Sequence, residues 1–252
     1  MNKNLSGINV AVTRPSIYSS FLEQGIRAQK GIPVMLPAIE IVEVDSKETK
    51  KRLDCLDATH YIFVSRSAAR IGGALILEQG RIMYDSKFYA IGEGTKRELL
   101  SLGFKSISLP ETGQDSEALL RVPSLQNIAG KKLVVVRGNG GRLILNKGLE
   151  ERGGIVKNFE CYVRKKPIWN AELMNLVNNN QISAWLATSV EIIENIFDMK
   201  GLTGHHFLRN APWFVTHPRL AVAAMHEYKI KKVFVTPSTD DGLINGLVCW
   251  FE

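Results

Sequence analysis

Gly7–Arg14, which reads GINVAVTR, returns in the second half of the chain as Gly130–Arg137, which reads GKKLVVVR. The closing arginines are 123 positions apart (14 to 137), and three further pairs of segments follow in the same order at offsets of 124 or 125, in a chain of 252 residues. One such pair at low identity would carry no weight, but four in one order at nearly one spacing indicate an internal duplication. A duplicated unit gives two similar lobes, and we expect a ligand to bind in the cleft between them.

Short runs rich in β-branched residues alternate with amphipathic helical stretches along both halves. This alternation is typical of parallel sheets flanked by helices, so we predict an α/β protein. The predicted strands are 8–13, 60–65, 88–91, 106–109, 133–137, 184–187, 213–216 and 232–235, and the predicted helices are 19–30, 68–79, 94–102, 116–120, 142–152, 171–178, 190–198, 220–227 and 241–251.

An extended segment follows the first strand and helix of each half, at 37–42 and at 160–166. If each segment crosses from one lobe to the other, the lobes are not the two halves of the sequence. We then expect a discontinuous first lobe of residues 1–36 plus 167–252, a second lobe of residues 43–159, and a two-stranded extended crossing that joins them.

The bulk composition is that of a soluble globular protein with an anionic partner. Apolar residues make up 45% of the chain, and no apolar run approaches the roughly 20 residues that span a bilayer. The three cysteines, Cys55, Cys161 and Cys249, show no CxxC spacing, which argues against a zinc site or a disulfide framework and favours the reducing cytoplasm. The net charge of +7 favours an anionic partner. Nucleic acid and a small polyanion both fit, although no nucleic-acid-binding motif is present.

The loop Arg137–Arg142, RGNGGR, joins a predicted strand to a predicted helix. Backbone N–H groups at such a turn favour anions. The loop is neither a dinucleotide fingerprint, because position 143 is Leu143 and not glycine, nor a P-loop, because it lacks the G-K-[ST] ending. Two interpretations remain: an anion or carboxylate site that uses Arg137, Gly138 or Arg142, and a tight turn whose glycines supply positive φ.

Small hydroxyl side chains follow the ends of predicted strands. Ser65, Thr188 and Ser189 lie where open α/β sheets bind their ligands, although such residues also cap helices. Gly92 and Thr95 lie in a further strand-to-helix turn, and Thr95 is predicted to be a cap or a ligand contact. Capping and ligand binding are compatible roles at one turn.

Two side chains are candidates for proton transfer or substrate contact. Tyr162 lies in the second crossing segment, where a tyrosine usually packs, but its hydroxyl is a candidate proton donor if the segment lines a cleft. His217 has no placed carboxylate beside it, so a structural role competes with a role as base or substrate contact. No Ser–His–Asp order, HExxH motif or carboxylate cluster is present, and we expect no metal site.

Taken in order, eight segments resemble the uroporphyrinogen-III synthases of the bacterial type. None of the segments is diagnostic alone, but their order and spacing are specific, and the likeness covers essentially the entire chain. The segments are VTRP at 12–15, AIGEGT at 90–95, SEALL at 116–120, LQNIAGK at 125–131, VRGNGGR at 136–142, ERG at 151–153, ECYVR at 160–164 and TS at 188–189.

The chain departs from the family pattern at two turns. The usual Thr-Ser at the end of the second strand is Val64-Ser65 here, so one threonine is lost. The frequent Ile-Gly-x-x-Thr-Ala turn of the second half is Thr216–Ala221, THPRLA, which places Leu220 where the family has its threonine.

The resemblance implies a cofactor-independent lyase of two α/β lobes that acts on hydroxymethylbilane in the biosynthesis of haem and sirohaem. This linear tetrapyrrole carries acetate and propionate arms on every ring, and it loses water and closes with its last ring inverted, through a spiro-pyrrolenine intermediate. Without enzyme it closes to the uninverted isomer, so catalysis is mainly conformational. We expect a cytoplasmic monomer with no nucleic-acid or membrane partner and with Tyr162 as the candidate proton donor. The expected substrate-binding set is Arg14, Ser65, Gly92, Thr95, Arg137, Gly138, Arg142, Thr188, Ser189 and His217.

Two alternatives from other classes remain at this point. One is a non-catalytic two-lobed binding protein for an anionic metabolite. The other is a nucleotide-binding enzyme that uses the glycine loop at 138–141. Analysis of the product formed from hydroxymethylbilane separates all three.

Overall fold

The computed structural model describes residues 4–44, 58–80, 82, 84–140 and 143–251. In these residues the strands are β1 Asn9–Val12, β2 Ile32–Met35, β3 Glu40–Glu43, β4 His60–Phe63, β5 Lys87–Ala90, β6 Ile107–Ser108, β7 Lys132–Gly138, β8 Ile155–Lys165, β9 Ala184–Ala187, β10 Pro212–Val215 and β11 Lys232–Val235. The α-helices are α1 Ser20–Ala28, α2 Gly73–Glu78, α3 Glu93–Ser101, α4 Ser116–Leu120, α5 Ile144–Glu150, α6 Ala171–Asn178, α7 Val190–Phe197, α8 His206–Asn210, α9 Pro218–His226 and α10 Asp240–Trp250.

The chain forms two compact units, each made of parallel strands and helices. Unit 1 comprises Met1–Glu40 and Lys165–Glu252, and unit 2 comprises Ile41–Arg164. No helix in the described ranges is both long and apolar enough to cross a membrane.

Unit 1 is built on a five-stranded sheet of order β11-β10-β9-β1-β2, whose neighbouring strands all run parallel. Helices α1 and α10 cover one face, where Leu22 and Ile26 of α1 and Leu247 of α10 pack on the sheet. On the other face Trp185 and Trp213 stack with ring centroids 5.4 Å apart. Burial of large apolar side chains on both faces explains why these strands read as continuous apolar runs.

Unit 2 is built on a six-stranded sheet of order β3-β8-β7-β4-β5-β6. The pairs β8–β7, β7–β4, β4–β5 and β5–β6 are parallel. Alternate residues of β7 point to opposite faces of the sheet. Val134 packs in the apolar cluster that contains Leu99 of α3, and Val135 packs in the apolar cluster that contains Leu149 of α5. The sheet is therefore covered by apolar side chains on both faces.

The two sheets share one topology. The strand order of unit 1, β2-β1-β9-β10-β11, matches the strand order of unit 2, β8-β7-β4-β5-β6. In this match the segment β1–α1–β2 corresponds to the segment β7–α5–β8. Both are doubly wound sheets in which the order reverses beside the first strand. The predicted fold class, a duplicated α/β protein with parallel sheets flanked by helices, is confirmed.

Several local features differ from the sequence-based expectations. The segments predicted to be extended, 37–42 and 160–166, are not among them, since they overlap β3 and β8, which lie side by side in the six-stranded sheet. The predicted helix 68–79 begins as a π-helical turn, Ala68–Gly72, before α2. Helix α8 was not predicted, because five residues are too few to show a helical period.

Candidate functional site

Two hydroxyl side chains meet at the carboxyl edge of the sheet of unit 2. Ser65 follows β4, and its Oγ accepts a hydrogen bond of 2.9 Å from the backbone N–H of Ala68. The same Oγ lies 3.0 Å from the hydroxyl of Tyr162 in β8. Tyr162 is only 1% exposed, whereas Ser65 is half-buried. Ser65 is therefore the member of the pair that a ligand could reach.

Gly138 lies against the ring of Tyr162. The two residues face each other across β7 and β8, at a shift in strand register that follows Arg137. A Cβ atom at position 138 would lie 2.5 Å from Cε2 of Tyr162 and 2.6 Å from its Cζ. A contact this short is not tolerated, so glycine is required here for the close approach of the tyrosine ring.

Arg137 is a buried side chain that donates two hydrogen bonds to the glycine loop. It is 7% exposed, and its Nε donates to the carbonyl of Gly138 at 3.3 Å. Its Nη2 donates to the carbonyl of Gly140, which has a φ of +67°. Both bonds go to the loop itself, so one role of this arginine is to shape the turn. Arg142, the other predicted arginine, lies outside the described residues.

Gly92 and Thr95 occupy the turn from β5 into α3. Gly92 is the N-cap residue, in extended conformation, and a Cβ there would lie 2.5 Å from Oε1 of Gln114. Thr95 is 3% exposed and lies inside the first turn of the helix. Of the two roles expected for Thr95, a cap or a ligand contact, the cap is wrong, because α3 begins at Glu93 and its N-cap residue Gly92 makes no side-chain cap bond.

Three predicted residues of unit 1 lie at the amino ends of helices. Ser189 caps α7, and its Oγ accepts from the backbone N–H of Ile192 at 3.2 Å. Thr188 precedes it and is half-buried. His217 caps α9, and its Nδ1 accepts from the backbone N–H of Arg219 at 3.1 Å. The capping interpretation holds for Ser189, and capping gives His217 a structural role. Their strands β9 and β10 end at the same edge of the sheet.

Arg14 forms an ion pair that sequence reasoning missed. Its Nη1 and Nη2 lie 2.5 Å and 3.0 Å from the two carboxylate oxygens of Asp240, at the start of α10. The Nε of Arg14 is buried and has no hydrogen-bond partner among the described residues. Nothing in the sequence connects Arg14 to a residue 226 positions away.

The chain matches known proteins along most of its length. The family model described as uroporphyrinogen-III synthase HemD matches residues 20–245. The chain belongs to the uroporphyrinogen-III synthase family. The uroporphyrinogen-III synthase of Salmonella typhimurium is 30% identical over 246 residues, which is 95% of this chain and 100% of that protein. The synthase of Proteus mirabilis is 35% identical over 62% of this chain and 80% of its own length.

Solved structures of uroporphyrinogen-III synthases share the fold at low identity. A mutant synthase from the extremely thermophilic bacterium Thermus thermophilus gives a TM-score of 0.61 at 15% identity, over 97% of this chain and 100% of that one. The enzyme from Helicobacter pylori gives a TM-score of 0.60 at 13% identity, over 97% and 99%. These two likenesses extend over both units.

The structure sorts the predicted site residues of this uroporphyrinogen-III synthase into two groups. At the carboxyl edge of unit 2 it brings Tyr162, Ser65 and Gly138 into contact, with Arg137 bonded to Gly138. Gly92 and Thr95 follow β5 at the same edge. At the carboxyl edge of unit 1, Arg14, Thr188, Ser189 and His217 follow β1, β9 and β10. Sequence reasoning did not single out Gln114, Asn146 or Arg164, which lie beside the residues of the unit 2 group.

The one buried cysteine of the described region is not a nucleophile. Burial raises the pKa of the Cys161 thiol to about 12, so the thiol stays protonated at neutral pH. Its Sγ donates weakly to the carbonyl of Arg137 at 3.5 Å. No cluster of three or more potential metal ligands occurs among the described residues. The side chains at these edges are mainly hydroxyls and guanidinium groups, with the imidazole of His217 and the carboxylate of Asp240 at the edge of unit 1.

Proposed function

We propose that this synthase converts hydroxymethylbilane into uroporphyrinogen III in tetrapyrrole biosynthesis, with Ser65 and Tyr162 assisting the departure of the hydroxyl group. Membership of the family supports the reaction. The observation that carries the mechanism is the hydrogen bond between the two hydroxyls, at the edge where doubly wound sheets bind their ligands.

The bonding of Ser65 supports proton transfer from Tyr162 through Ser65 to a ligand. A serine hydroxyl has two lone pairs and one proton. One lone pair accepts from the N–H of Ala68, and the other can accept from the hydroxyl of Tyr162. The proton of Ser65 is then the group left to donate to a ligand. In this arrangement Ser65 protonates the leaving hydroxyl, which departs as water, and Tyr162 passes its own proton to Ser65.

The proton balance closes within one turnover. Departure of water leaves a cation on the substrate, and the terminal-ring carbon attacks it. Ring closure and rearomatisation release a proton from carbon, which restores the proton given by the hydroxyl pair. General acid assistance of this kind is typically worth about 10²–10⁴ in rate.

The positive charge of the protein supports the binding of a polycarboxylate. The net charge is +7, and both carboxyl edges carry arginines and helix-capping hydroxyls. We propose that the arms of the substrate bind at the turns that contain the following residues: Arg14, Ser65, Gly92, Thr95, Arg137, Gly138, Arg142, Thr188, Ser189 and His217. Since Thr95 is 3% exposed and Arg14 is held by Asp240, their contribution is the shape and charge of their turns.

The catalytic task in this proposal is mainly conformational. Free hydroxymethylbilane closes at the unsubstituted carbon of its last ring, so the enzyme has to hold the chain with the substituted carbon next to the cation. Holding reacting groups in place supplies much of a rate enhancement without strong acids or bases. We further propose that unit 1 and unit 2 are the domains of a monomeric cytoplasmic enzyme that needs no cofactor, nucleic acid or membrane.

Isomer analysis tests the proposed function. The purified protein is mixed with fresh hydroxymethylbilane, the product is oxidised, and the type I and type III isomers are separated by chromatography. We expect type III as the main product, with type I at the level of an enzyme-free control. Type I alone, formed at the enzyme-free rate, would refute the proposed function.

A further inference from the structure

A small cavity lies in unit 2 where β4, β5 and β7 end. Its volume is about 250 Å³. Its polar lining comes from Arg137, Gly138, Ser116, Asn146 and Arg164. Pockets that hold a whole ligand usually measure about 300–1,000 Å³. This cavity is smaller, so its size suits one arm of a larger molecule together with a few waters.

Asn146 lines this cavity and carries a buried, unmatched polar atom. The side chain is 7% exposed, and its Nδ2 donates to Oδ1 of Asn158 at 2.9 Å. Its Oδ1 is buried and has no partner among the described residues. Buried polar atoms are nearly always hydrogen-bonded, so an unmatched one beside a cavity points to a group that the protein does not supply.

The amide of Asn146 can offer either a donor or an acceptor to that group. If the amides of Asn146 and Asn158 both turn by 180°, Nδ2 of Asn158 donates to Oδ1 of Asn146, and Nδ2 of Asn146 becomes free to donate. The bond between the two side chains is kept in both arrangements. The unmatched position of Asn146, on a residue that lines the cavity, can therefore hold an N–H group with no loss of the bond to Asn158.

The charge of the cavity favours an anion. Arg137 and Arg164 line it, and no aspartate or glutamate is among its described lining residues. The bonds of Arg137 to Gly138 and Gly140 use two of the five N–H donors of its guanidinium group. A guanidinium beside an amide N–H and a serine hydroxyl is a donor set that matches a carboxylate.

We propose that this cavity binds the carboxylate of one acetate or propionate arm of the tetrapyrrole, and that Asn146 and Arg137 are its binding side chains. The inference rests on the proposed function, because that function supplies the polycarboxylate substrate. It adds Asn146 and Ser116 to the binding residues and gives the glycine loop a role, since Gly138 and Gly140 form part of the cavity wall. Held there, one arm fixes the position of its pyrrole ring at the carboxyl edge.

The test introduces a negative charge at nearly constant side-chain shape. Asn146→Asp places an anion beside the arm, and Asn127→Asp, on an exposed loop of the same unit, makes the same chemical change outside the cavity. The initial rate of type III formation is measured against hydroxymethylbilane concentration, with the enzyme-free rate subtracted. We expect Asn146→Asp to raise KM about tenfold or more with kcat within about threefold, because like charges in contact weaken binding strongly. Asn127→Asp should leave both parameters within about twofold.

Folding is checked by thermal unfolding of each variant. If Asn146→Asp does not fold, Asn146→Ser carries the test, with an expected rise in KM of about threefold or more from the loss of the amide. A folded Asn146 variant with KM within twofold of wild type overturns the arm site. Wild-type protein that forms no type III isomer overturns the proposed function instead, so the two failures are distinguishable.

Discussion

The hydroxyl of Tyr162 lies 3.0 Å from Oγ of Ser65, although 97 positions separate the two residues in the chain. Strand pairing produces this contact: β4 and β8 both neighbour β7, and Gly138 at the end of β7 leaves room for the tyrosine ring. The bond links a half-buried serine to a fully buried phenol. A buried hydroxyl is therefore hydrogen-bonded to a side chain that is partly open to solvent.

Removal of either hydroxyl should slow the reaction to the same extent. We expect Tyr162→Phe to lower kcat by about tenfold or more, and Ser65→Ala to lower it similarly, since both interrupt one proton path. The double variant should be no slower than the slower single variant, because residues that act as a unit are not additive. Activity of Tyr162→Phe within twofold of wild type would reduce Tyr162 to a packing residue.

A methyl group at position 138 should act through Tyr162. We expect Gly138→Ala to lower kcat by about tenfold or more and to destabilise the fold by about 1–3 kcal/mol, since the new Cβ forces the tyrosine ring aside. Gly148→Ala is the matched control, because its Cβ would meet Leu120 at 2.6 Å, away from the hydroxyl pair. The control should keep the kcat of wild type. If Gly138→Ala also keeps it, the position of the tyrosine ring does not govern the reaction.

Salt should weaken substrate binding. The substrate is a polycarboxylate and the protein carries a net charge of +7, so screening of their attraction raises KM. We expect KM to rise several-fold between about 0.01 M and 0.5 M salt, where the Debye length falls from about 30 Å to a few ångströms, while kcat changes little. The rate of enzyme-free closure in the same buffers is the control. A KM that is independent of salt would count against binding dominated by several anionic arms.

Acid should destabilise unit 2 through His60. Burial lowers the pKa of His60 below 6.5, and the charges of Lys87 and Lys131 lower it further. Between that lowered pKa and 6.5 the unfolded chain binds more protons than the folded one, so the free energy of unfolding falls as pH falls through this window. One proton gives a slope of at most about 1.4 kcal/mol per pH unit.

Thermal unfolding from about pH 7.5 to about pH 5 measures this contribution. His60→Gln should show a shallower loss of Tm with acid than wild type, and the exposed His226→Gln serves as the control for the substitution itself. Equal slopes for wild type and His60→Gln would show that His60 does not govern the acid sensitivity.

The fold was predictable because its signals are local and repeated. Helix α6 has the predicted bounds 171–178, since the side chain of Asn170 caps it, and β9 coincides with the predicted strand 184–187. The repeat indicated a duplication, and the two sheets have equivalent strand orders. The π-helical turn Ala68–Gly72 and the short helix α8 carry no comparable periodic signal.

Of the candidate site, only the residues that directly follow predicted strands could be found from the sequence. Ser65 and Ser189 were visible as hydroxyls that follow apolar strands, and both accept bonds from backbone N–H groups of the helices after them. Their long-range partners were not visible, because pairing of Ser65 with Tyr162 depends on the order of strands in the sheet. Asn146 gave no signal at all, since an asparagine within a helix is ordinary until its buried, unmatched oxygen is seen.

The isomer ratio of the Ser65→Ala, Tyr162→Phe double variant tests the central claim most directly, namely that the enzyme controls the conformation of the substrate and that the hydroxyl pair controls only the rate. Wild type and double variant are allowed to consume the same amount of hydroxymethylbilane, and type III is measured relative to type I after subtraction of the enzyme-free reaction. The account predicts a slower reaction that still gives type III as the enzymatic product. An enzymatic product that changes to type I would contradict it.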